Sequence, residues 1–445
     1  MTIIYGLLGL GLVIIIHEAG HFIAARLSGV TVETFSVGMG PVLAHKKIKD
    51  TDYRISLIPL GGYCGMKGEK AFQEALDNKL SEIPSEPGSF YGVHPLKRLF
   101  IAFSGPFFNF LFAIISFSII SLIGYTYYTT SNKIILASEV YENYPSIAMS
   151  AGIKTGDRIT QINDTEISYF KDISEIISLH PQELLTVEVD RNGEKLQFEL
   201  TPELDPETGA GKIGIVSWID PIVDTVVQGS SAALAGIQKG DLITSVDGKP
   251  VKNTVDLQLL LTDKTEVNIQ FLRDANIETR KMIIIDNKVG ISFVVNEIHT
   301  PKYGFLGSIK QGVLESVNML KLTIKSIGLL FKGVDVTKAV SGPVRITVML
   351  GETAKSGFSL GFSTGVITVL NFLSLISISL FLMNLLPIPV LDGGLILFAL
   401  IEWISRRKLH PKFLYNIQFV GIAFILFIFV FALFGDISYL ISGAK

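Results

Sequence analysis

Two histidines at helical spacing lie within an apolar segment near the start of the chain, and this combination restricts what the chain can fold into. Residues 17–21 read His-Glu-Ala-Gly-His inside the apolar run from Thr2 to Ala25, which is long enough to cross a bilayer. On a helix His17 and His21 lie one turn apart on one face and can share a Zn²⁺ ion, with Glu18 beside them as a base. The spacing predicts two metal ligands and requires a third.

The alternative is that these histidines only pack against neighbouring helices. It has to explain three ionisable side chains in a segment where each costs about 2.5–3.5 kcal/mol on insertion scales. The chain has 7 His and 41 acidic residues in 445. With that composition, chance produces the pattern roughly once in a couple of hundred chains. The motif therefore favours a metal site without establishing one.

Composition and hydropathy indicate an integral membrane protein. Hydrophobic residues make up 48% of the chain and charged residues 18%, and the mean hydropathy is +0.46. Further charge-free segments that can span about 30 Å occur at Leu99 to Gly124, within Gly357 to Leu391, and from Phe413 to Gly435. The sequence predicts four membrane-spanning helices. The first is expected to be a retained anchor, because no basic residue precedes it and no small-residue cleavage site follows it.

The two short connections between spans are rich in basic residues, which predicts the orientation. Their basic residues are Arg26, Lys97 and Arg98 in the first, and Arg406, Arg407, Lys408 and Lys412, which outweigh Glu402, in the last. By the positive-inside rule both connections are cytoplasmic, and the termini and the large loop lie outside. Spans one and three then end at the same membrane face.

The end of the third span offers the missing ligand. Asp392 follows the apolar run directly, and His21 lies about four residues, roughly 6–7 Å, from the inner flank at Arg26, so the depths agree. Taken alone, Asp392 fits a turn with the two glycines that follow it. With the histidines at matching depth, we interpret it as the third ligand. Pro387 and Pro389 predict an unwound segment, which at membrane depth must be buried in protein or line a wet cavity.

The large loop contains an internal repeat. Ala-Gly-Ile-Lys-Thr-Gly-Asp-Arg-Ile-Thr, from Ala151, returns 84 residues later as Ala-Gly-Ile-Gln-Lys-Gly-Asp-Leu-Ile-Thr, from Ala235. Each copy continues into alternating apolar residues, which predicts short strands with one interposed helix. The only cysteine, Cys64, lies in the first connection, so the outer region of about 230 residues has no disulfide. The net charge of −3 and the lack of a basic tract exclude nucleic-acid binding.

Apolar residues recur every three or four positions over 305–331, which predicts an amphipathic helix. This helix either lies along the outer membrane surface or packs against the repeats, and the sequence does not choose between the two. The Ser-Gly-Pro-Val segment from Ser341 is expected to be a turn before the third span.

The three motifs together resemble the site-2 protease family of intramembrane zinc metalloproteases. The resemblance covers nearly the whole chain and rests on His-Glu-x-x-His in the first span, Gly105-Pro106 with Asn109 in the second, and the stretch from Asn384 to Gly394 in the third. It implies zinc as the cofactor. The implied ligands are His17, His21 and Asp392, the implied catalytic carboxylate is Glu18, and the implied substrate-contacting residues are Asn384, Pro387 and Pro389.

The family also has a membrane-associated β-hairpin after the first span, which matches residues 31–63. Gly38, Met39 and Gly40 are its implied substrate contacts. Family members often carry an aromatic residue where Met39 stands, which blurs those contacts. They commonly carry His where Leu395 stands, which leaves the ligands intact. We expect an extended substrate to pair with this hairpin, and with the stretch around Asn384, by β-strand addition.

The repeats resemble PDZ domains. The expected fold class is a multi-pass α-helical membrane protein with four transmembrane helices, a membrane-associated β-hairpin and two α+β PDZ-like domains. The expected segments are span 1 at 1–26, a cytoplasmic connection at 27–96, span 2 at 97–125, PDZ-like domains at 126–216 and 217–300, an amphipathic helix and linker at 301–356, span 3 at 357–395, a cytoplasmic loop at 396–412, and span 4 with the C-terminus at 413–445.

The resemblance implies cleavage of single-span membrane proteins in the bacterial inner membrane, with an anti-sigma factor and leftover signal peptides as substrates. The PDZ-like domains would either capture a new chain terminus or exclude substrates whose outer domain is intact. A catalytically idle scaffold and a metal transporter are rival functions. The intact Glu18 argues against the first, and the single polar cluster argues against the second.

Two asparagines have open roles. Asn384 either donates to the substrate or its intermediate, or forms a hydrogen bond between helices. Asn109 is interpreted as a packing residue, because Gly105 and Pro106 around it favour close or bent helix contact.

Overall fold

The chain forms two compact units, and the computed structural model describes residues 2–141, 144–285, 288–329 and 341–442. The membrane unit contains the described residues up to Tyr125, Thr300–Gly328, and those from 341 onward. The repeat unit contains Thr126–His299.

The described residues form twelve α-helices. They are α1 Thr2–Ser28, α2 Glu69–Asp77, α3 Pro95–Ile123, α4 Ile147–Ala151, α5 Phe170–Leu179, α6 Ser231–Leu234, α7 Thr254–Leu261, α8 Phe305–Leu329, α9 Pro343–Ser359, α10 Phe362–Asn384, α11 Asp392–Ser405 and α12 Pro411–Ser442.

The strands are short outside the first pair. They are β1 Val32–Ile48, β2 Thr51–Met66, β3 Thr126–Thr129, β4 Ile134–Leu136, β5 Arg158–Ile162, β6 Thr165–Glu166, β7 Leu185–Arg191, β8 Glu194–Leu200, β9 Glu203–Leu204, β10 Gly211–Lys212, β11 Ile215–Ser217, β12 Val223–Val226, β13 Leu242–Val246, β14 Lys249–Pro250, β15 Glu266–Arg273, β16 Asn276–Ile283, β17 Ile291–Phe293 and β18 Asn296–His299.

Four of the described helices are long and apolar enough to cross a membrane: α1, α3, α10, and α12 over Pro411–Ile437. They coincide with the four predicted spans, so that prediction is confirmed at the level of length and composition. Their apolar side chains are largely exposed to the surroundings, as expected of helices that face lipid.

Two helices lie where the sequence led us to expect loops. The segment 396–412 contains most of α11, because the chain resumes a helix directly at Asp392. The supposed linker before span 3 contains α9, since Pro343 occupies the first helical turn, where its missing N–H costs nothing. Leu350 of α9 is buried against Val13 of α1 and Leu373 of α10, so α9 belongs to the helical core.

The amphipathic helix is α8, and it packs against α3 within the membrane unit. Met319 and Leu320 join an apolar cluster with Ile120 of α3, and the Tyr303 N–H donates to the Ser121 carbonyl at 3.1 Å. Its other face exposes Leu306. The last two residues of the predicted helix, 330 and 331, lie outside the described residues.

The predicted hairpin is longer and more folded than the sequence indicated. Its second strand, β2, continues to Met66 rather than ending at Tyr63, and Phe35 of β1 pairs with both Cys64 and Tyr53 of β2. The first half of β1 therefore lies between the two ends of β2. The 62–66 end of β2 forms an outer edge of this small sheet.

The two repeats share one topology. In the first, a four-stranded sheet has the order β6-β5-β7-β8 and β11 pairs with β4; in the second, the sheet order is β14-β13-β15-β16 and β17 pairs with β12. Each has its own apolar core. Equivalent ion pairs, Arg191 with Asp157 at 2.7 Å and Arg273 with Asp241 at 2.6 Å, close the same turn in both copies.

Candidate metal centre

Three side chains from opposite ends of the chain converge at the C-terminal half of α1. The His17 Nε2 atom lies 3.1 Å from Asp392 Oδ2, the His21 Nε2 atom lies 3.3 Å from Asp392 Oδ1, and the two Nε2 atoms are 3.2 Å apart. Each side chain is only 11–13% exposed. All three ligand atoms lie within 4.8 Å of one another.

These separations fit a tetrahedral zinc ion. Ligand atoms at about 2.0–2.1 Å from zinc lie roughly 3.3 Å apart in that geometry. Two imidazoles and one carboxylate form a known catalytic ligand class, which leaves the fourth position to water or substrate. The residues present therefore fit zinc, the metal that the sequence predicts.

The unwound segment between α10 and α11 places Asp392. Residues 385–391 are not helical, and Asp392 begins the next helix. Val390 adopts a φ of +101°, which is costly for a β-branched residue and is found mainly where surrounding structure imposes it. The chain is therefore unwound at this point, as the two prolines predicted.

Close contact between α1 and α3 positions the histidines. A Cβ atom on Gly20 would lie 2.8 Å from the Ser104 carbonyl carbon, and one on Gly105 would lie 2.6 Å from His21 Cε1. At this crossing the His21 Nδ1 atom is 2.9 Å from the Ile101 carbonyl. Position 105 in the Gly-Pro motif therefore has to be glycine, because any side chain there would overlap the His21 ring.

Asn109 does more than pack. Its side chain is fully buried, and its Nδ2 atom lies 3.3 Å from His17 Nδ1, so the interpretation as a packing residue was incomplete. The motif spacing alone could not show this contact, because it depends on how α3 crosses α1.

Glu18 lies against the outer edge of β2. The Cys64 N–H donates to its carboxylate, and a Cβ on Gly62 would lie 3.4 Å from Glu18 Cγ. Since Phe35 occupies the other side of Cys64, this edge of the strand faces the metal ligands.

A cavity of about 440 Å³ surrounds this cluster. Its lining includes Asn384. Of the other expected substrate contacts, none belongs to the lining in the part of the chain that the structure describes; these are Gly38, Met39, Gly40, Pro387 and Pro389. Sequence reasoning did not name the remaining wall residues, which include Tyr63, Cys64 and Met66 of β2, Phe90 and Tyr91, and Ile101 and Ala102 of α3. No local motif marks them, although Tyr63 and Cys64 come directly after Gly61 and Gly62.

Known proteins resemble this chain over nearly its full length. The model of peptidase family M50 matches residues 5–428. A Treponema pallidum protein that is named as a zinc metalloprotease is 43% identical over 452 residues, which cover 99% of both chains. The regulator of sigma-E protease RseP of Escherichia coli is 30% identical over 459 residues, 97% of both chains, and its Haemophilus influenzae counterpart is 29% identical over 457 residues, also 97% of both.

Proposed function

We propose that this chain, which belongs to peptidase family M50, the site-2 proteases, hydrolyses a peptide bond in or beside the spanning segment of single-span membrane proteins. It is a zinc metalloprotease integral to the membrane. The convergence of His17, His21 and Asp392 next to Glu18, within a bundle of spanning helices, carries this proposal. We assign the first three as zinc ligands and Glu18 as the catalytic carboxylate.

Each group has a distinct task. Zinc held by these residues would act as a Lewis acid and would lower the pKa of a bound water from 15.7 to about 7. Glu18, held by the Cys64 N–H, accepts the proton from the attacking water and returns it to the leaving amine. Asn384 lies on the cavity wall and donates its side-chain amide to the substrate.

The substrate must be extended before it is cut, because helical carbonyls are engaged in hydrogen bonds. We propose that it pairs with the 62–66 edge of β2, whose side chains line the cavity. Gly38, Met39 and Gly40 would contact the substrate farther from the scissile bond. Proline, scanned one residue at a time through a substrate, should reduce cleavage at every second position, since only alternate N–H groups face the paired strand. A reduction without this alternation contradicts strand addition.

The decisive experiment compares the purified protein with its Glu18→Gln variant. Zinc content and cleavage of a spanning substrate are measured on the same samples. Retained zinc with lost cleavage supports the assignment, whereas equal cleavage removes Glu18 from the mechanism. His21→Ala serves as the matched variant that should lose zinc as well.

The repeats are proposed to be PDZ-like domains that act outside the membrane as a size filter. In the first copy a groove of about 250 Å³ lies between α5 and β11. In the second copy a groove of about 440 Å³ lies between α7 and β17. The Thr300 N–H donates to the Tyr125 carbonyl at 2.9 Å, so the ends of the membrane unit meet where the repeats are inserted. Deleting 126–299 and joining these ends should permit cleavage of full-length substrates. Continued rejection of those substrates favours capture of a chain terminus instead.

We propose the bacterial inner membrane as the location, with both termini and the repeats outside. We also propose a substrate of the anti-sigma factor type, in keeping with the sigma-E regulation named for the Escherichia coli relative. Leftover signal peptides are proposed as further substrates on the family resemblance alone. The basic residues Arg26, Lys97 and Arg98 lie at the α1 and α3 ends that hold the site, which supports an active site toward the cytoplasmic face.

A further inference from the structure

The Asn109 side chain is buried against a proposed zinc ligand, and the mechanism so far gives it no task. It is fully buried, its Nδ2 atom is 3.3 Å from His17 Nδ1, and its Oδ1 atom has no hydrogen-bond partner among the described residues. Leaving a buried acceptor unpaired is energetically costly, so its position calls for an explanation.

The proton on the His17 ring explains the position of Asn109. Both histidines direct Nε2 toward Asp392, so a neutral ring that binds metal through Nε2 carries its proton on Nδ1. In His21 that proton is donated to the Ile101 carbonyl at 2.9 Å. In His17 the neighbour at this position is the Asn109 amide, which as placed would set one N–H donor against another.

The two ends of an asparagine amide differ only in O and NH₂, and rotation by 180° exchanges them. After that rotation Oδ1 faces His17 Nδ1 and accepts its proton. The contact between two donors then disappears and the unpaired oxygen gains a partner, while the NH₂ group moves to the position that Oδ1 had occupied.

The residue spacing on α3 allows both contacts, that of Ile101 with His21 and that of Asn109 with His17. Ile101 and Asn109 are eight residues apart, slightly more than two turns, and His17 and His21 lie one turn apart on α1. Gly105, midway between them, lies against the His21 ring, which brings α3 close enough for Asn109 to reach His17.

We propose that Asn109 is a positioning residue whose side-chain carbonyl accepts the His17 Nδ1 proton and thereby directs Nε2 to the metal. The proposal rests on the metal ligands assigned above. Partners of this kind fix the tautomer and the ring orientation, and their loss typically weakens metal binding 10–100-fold.

The test measures zinc affinity of the detergent-purified full chain by competition with a chromophoric chelator. Asn109→Leu removes the acceptor at similar size, and Asn109→Asp keeps an acceptor on either rotation. Ser116→Ala is the matched control, since Ser116 lies on the same helix, equally buried and without a partner among the described residues. Thermal unfolding of the metal-free proteins reports folding, and the Co²⁺ absorption bands report ligand geometry.

We expect Asn109→Leu to bind zinc roughly 10–100-fold more weakly and to alter the Co²⁺ bands, while Asn109→Asp and Ser116→Ala stay close to the unmodified protein. Unchanged affinity in Asn109→Leu overturns the inference, and so does equal weakening in Asn109→Leu and Asn109→Asp. His21→Ala distinguishes failure of the proposed Asn109 role from failure of the metal site. If the unmodified protein binds no more zinc than His21→Ala, the metal site itself is wrong.

Discussion

Gly105→Ala is the substitution with the clearest expected effect on the metal centre. The new methyl carbon would lie 2.6 Å from His21 Cε1 and 2.8 Å from His21 Cδ2, and against Nε2 as well. Carbon atoms in ordinary contact are about 3.5–4.0 Å apart, so the ring has to move by roughly 1 Å. The ring cannot simply swing away, because it is buried and tied to the Ile101 carbonyl.

A displacement of that size is several times the tolerance of about 0.2 Å in a metal–ligand distance. Misplacing a reacting group by 1 Å costs about 100-fold in rate, or about 2.7 kcal/mol. We therefore expect Gly105→Ala to lower kcat/KM at least 100-fold and to weaken zinc binding. The helix itself should tolerate alanine, which is about 1 kcal/mol better than glycine in a helix interior.

The assay combines cleavage of a spanning substrate with chelator competition for zinc. Gly328→Ala is the control, since it is also a helical glycine but has open space around its Cβ position. It should retain activity. Wild-type zinc affinity and turnover in Gly105→Ala would refute the reasoning, because the ring would then have to be free to move without consequence.

The remaining expectations concern stability and metal removal. Arg98 and Glu402 form an ion pair with side chains only 10% and 7% exposed, so Glu402→Gln should destabilise the protein by about 3–5 kcal/mol in thermal unfolding; exchanging the two residues should recover part of that loss, and an unchanged Tm in Glu402→Gln contradicts this. Burial opposes ionisation of Asp205, but the Lys212 ammonium and neighbouring donors outweigh this effect and lower the pKa of Asp205 from 3.8 to about 2. The stabilisation of the fold by ionised Asp205 should be complete above the pKa of 3.8 and should disappear as the pH falls to the pKa of about 2. An Asp205→Asn variant that keeps the same pH dependence of stability refutes the assignment. Chelation of zinc should abolish cleavage and readdition should restore it; cleavage that survives full removal of zinc excludes a metal mechanism.

Local periodicity was enough to find part of the site. The spacing of His17 and His21 follows from the helical repeat, and Asp392 followed from counting spans and comparing depths. The break at Pro387 and Pro389 followed from proline chemistry. Each of these inferences needs only short stretches of sequence and the thickness of a bilayer.

The rest depended on how distant elements meet. The contact of Asn109 with His17 requires the crossing of α1 and α3, and the Cys64 N–H reaches Glu18 only because β1 lies between the two ends of β2. The helix α9 was missed because its apolar residues face α1 and α10 within a mixed sequence that also reads as a linker. No local pattern contains these arrangements.

The proposed metal centre joins two histidines near the start of the chain to an aspartate about 370 residues later, and this separation affects biosynthesis. At about 5–20 residues per second, roughly 20–75 s pass between synthesis of the histidines and synthesis of Asp392. Throughout that interval the nascent chain holds two ligands and the glutamate but lacks the third ligand. A chain that ends before residue 392 lacks the third proposed ligand and is expected to be inert, so proteolytic capacity should arise only after the repeats and the third span have been made.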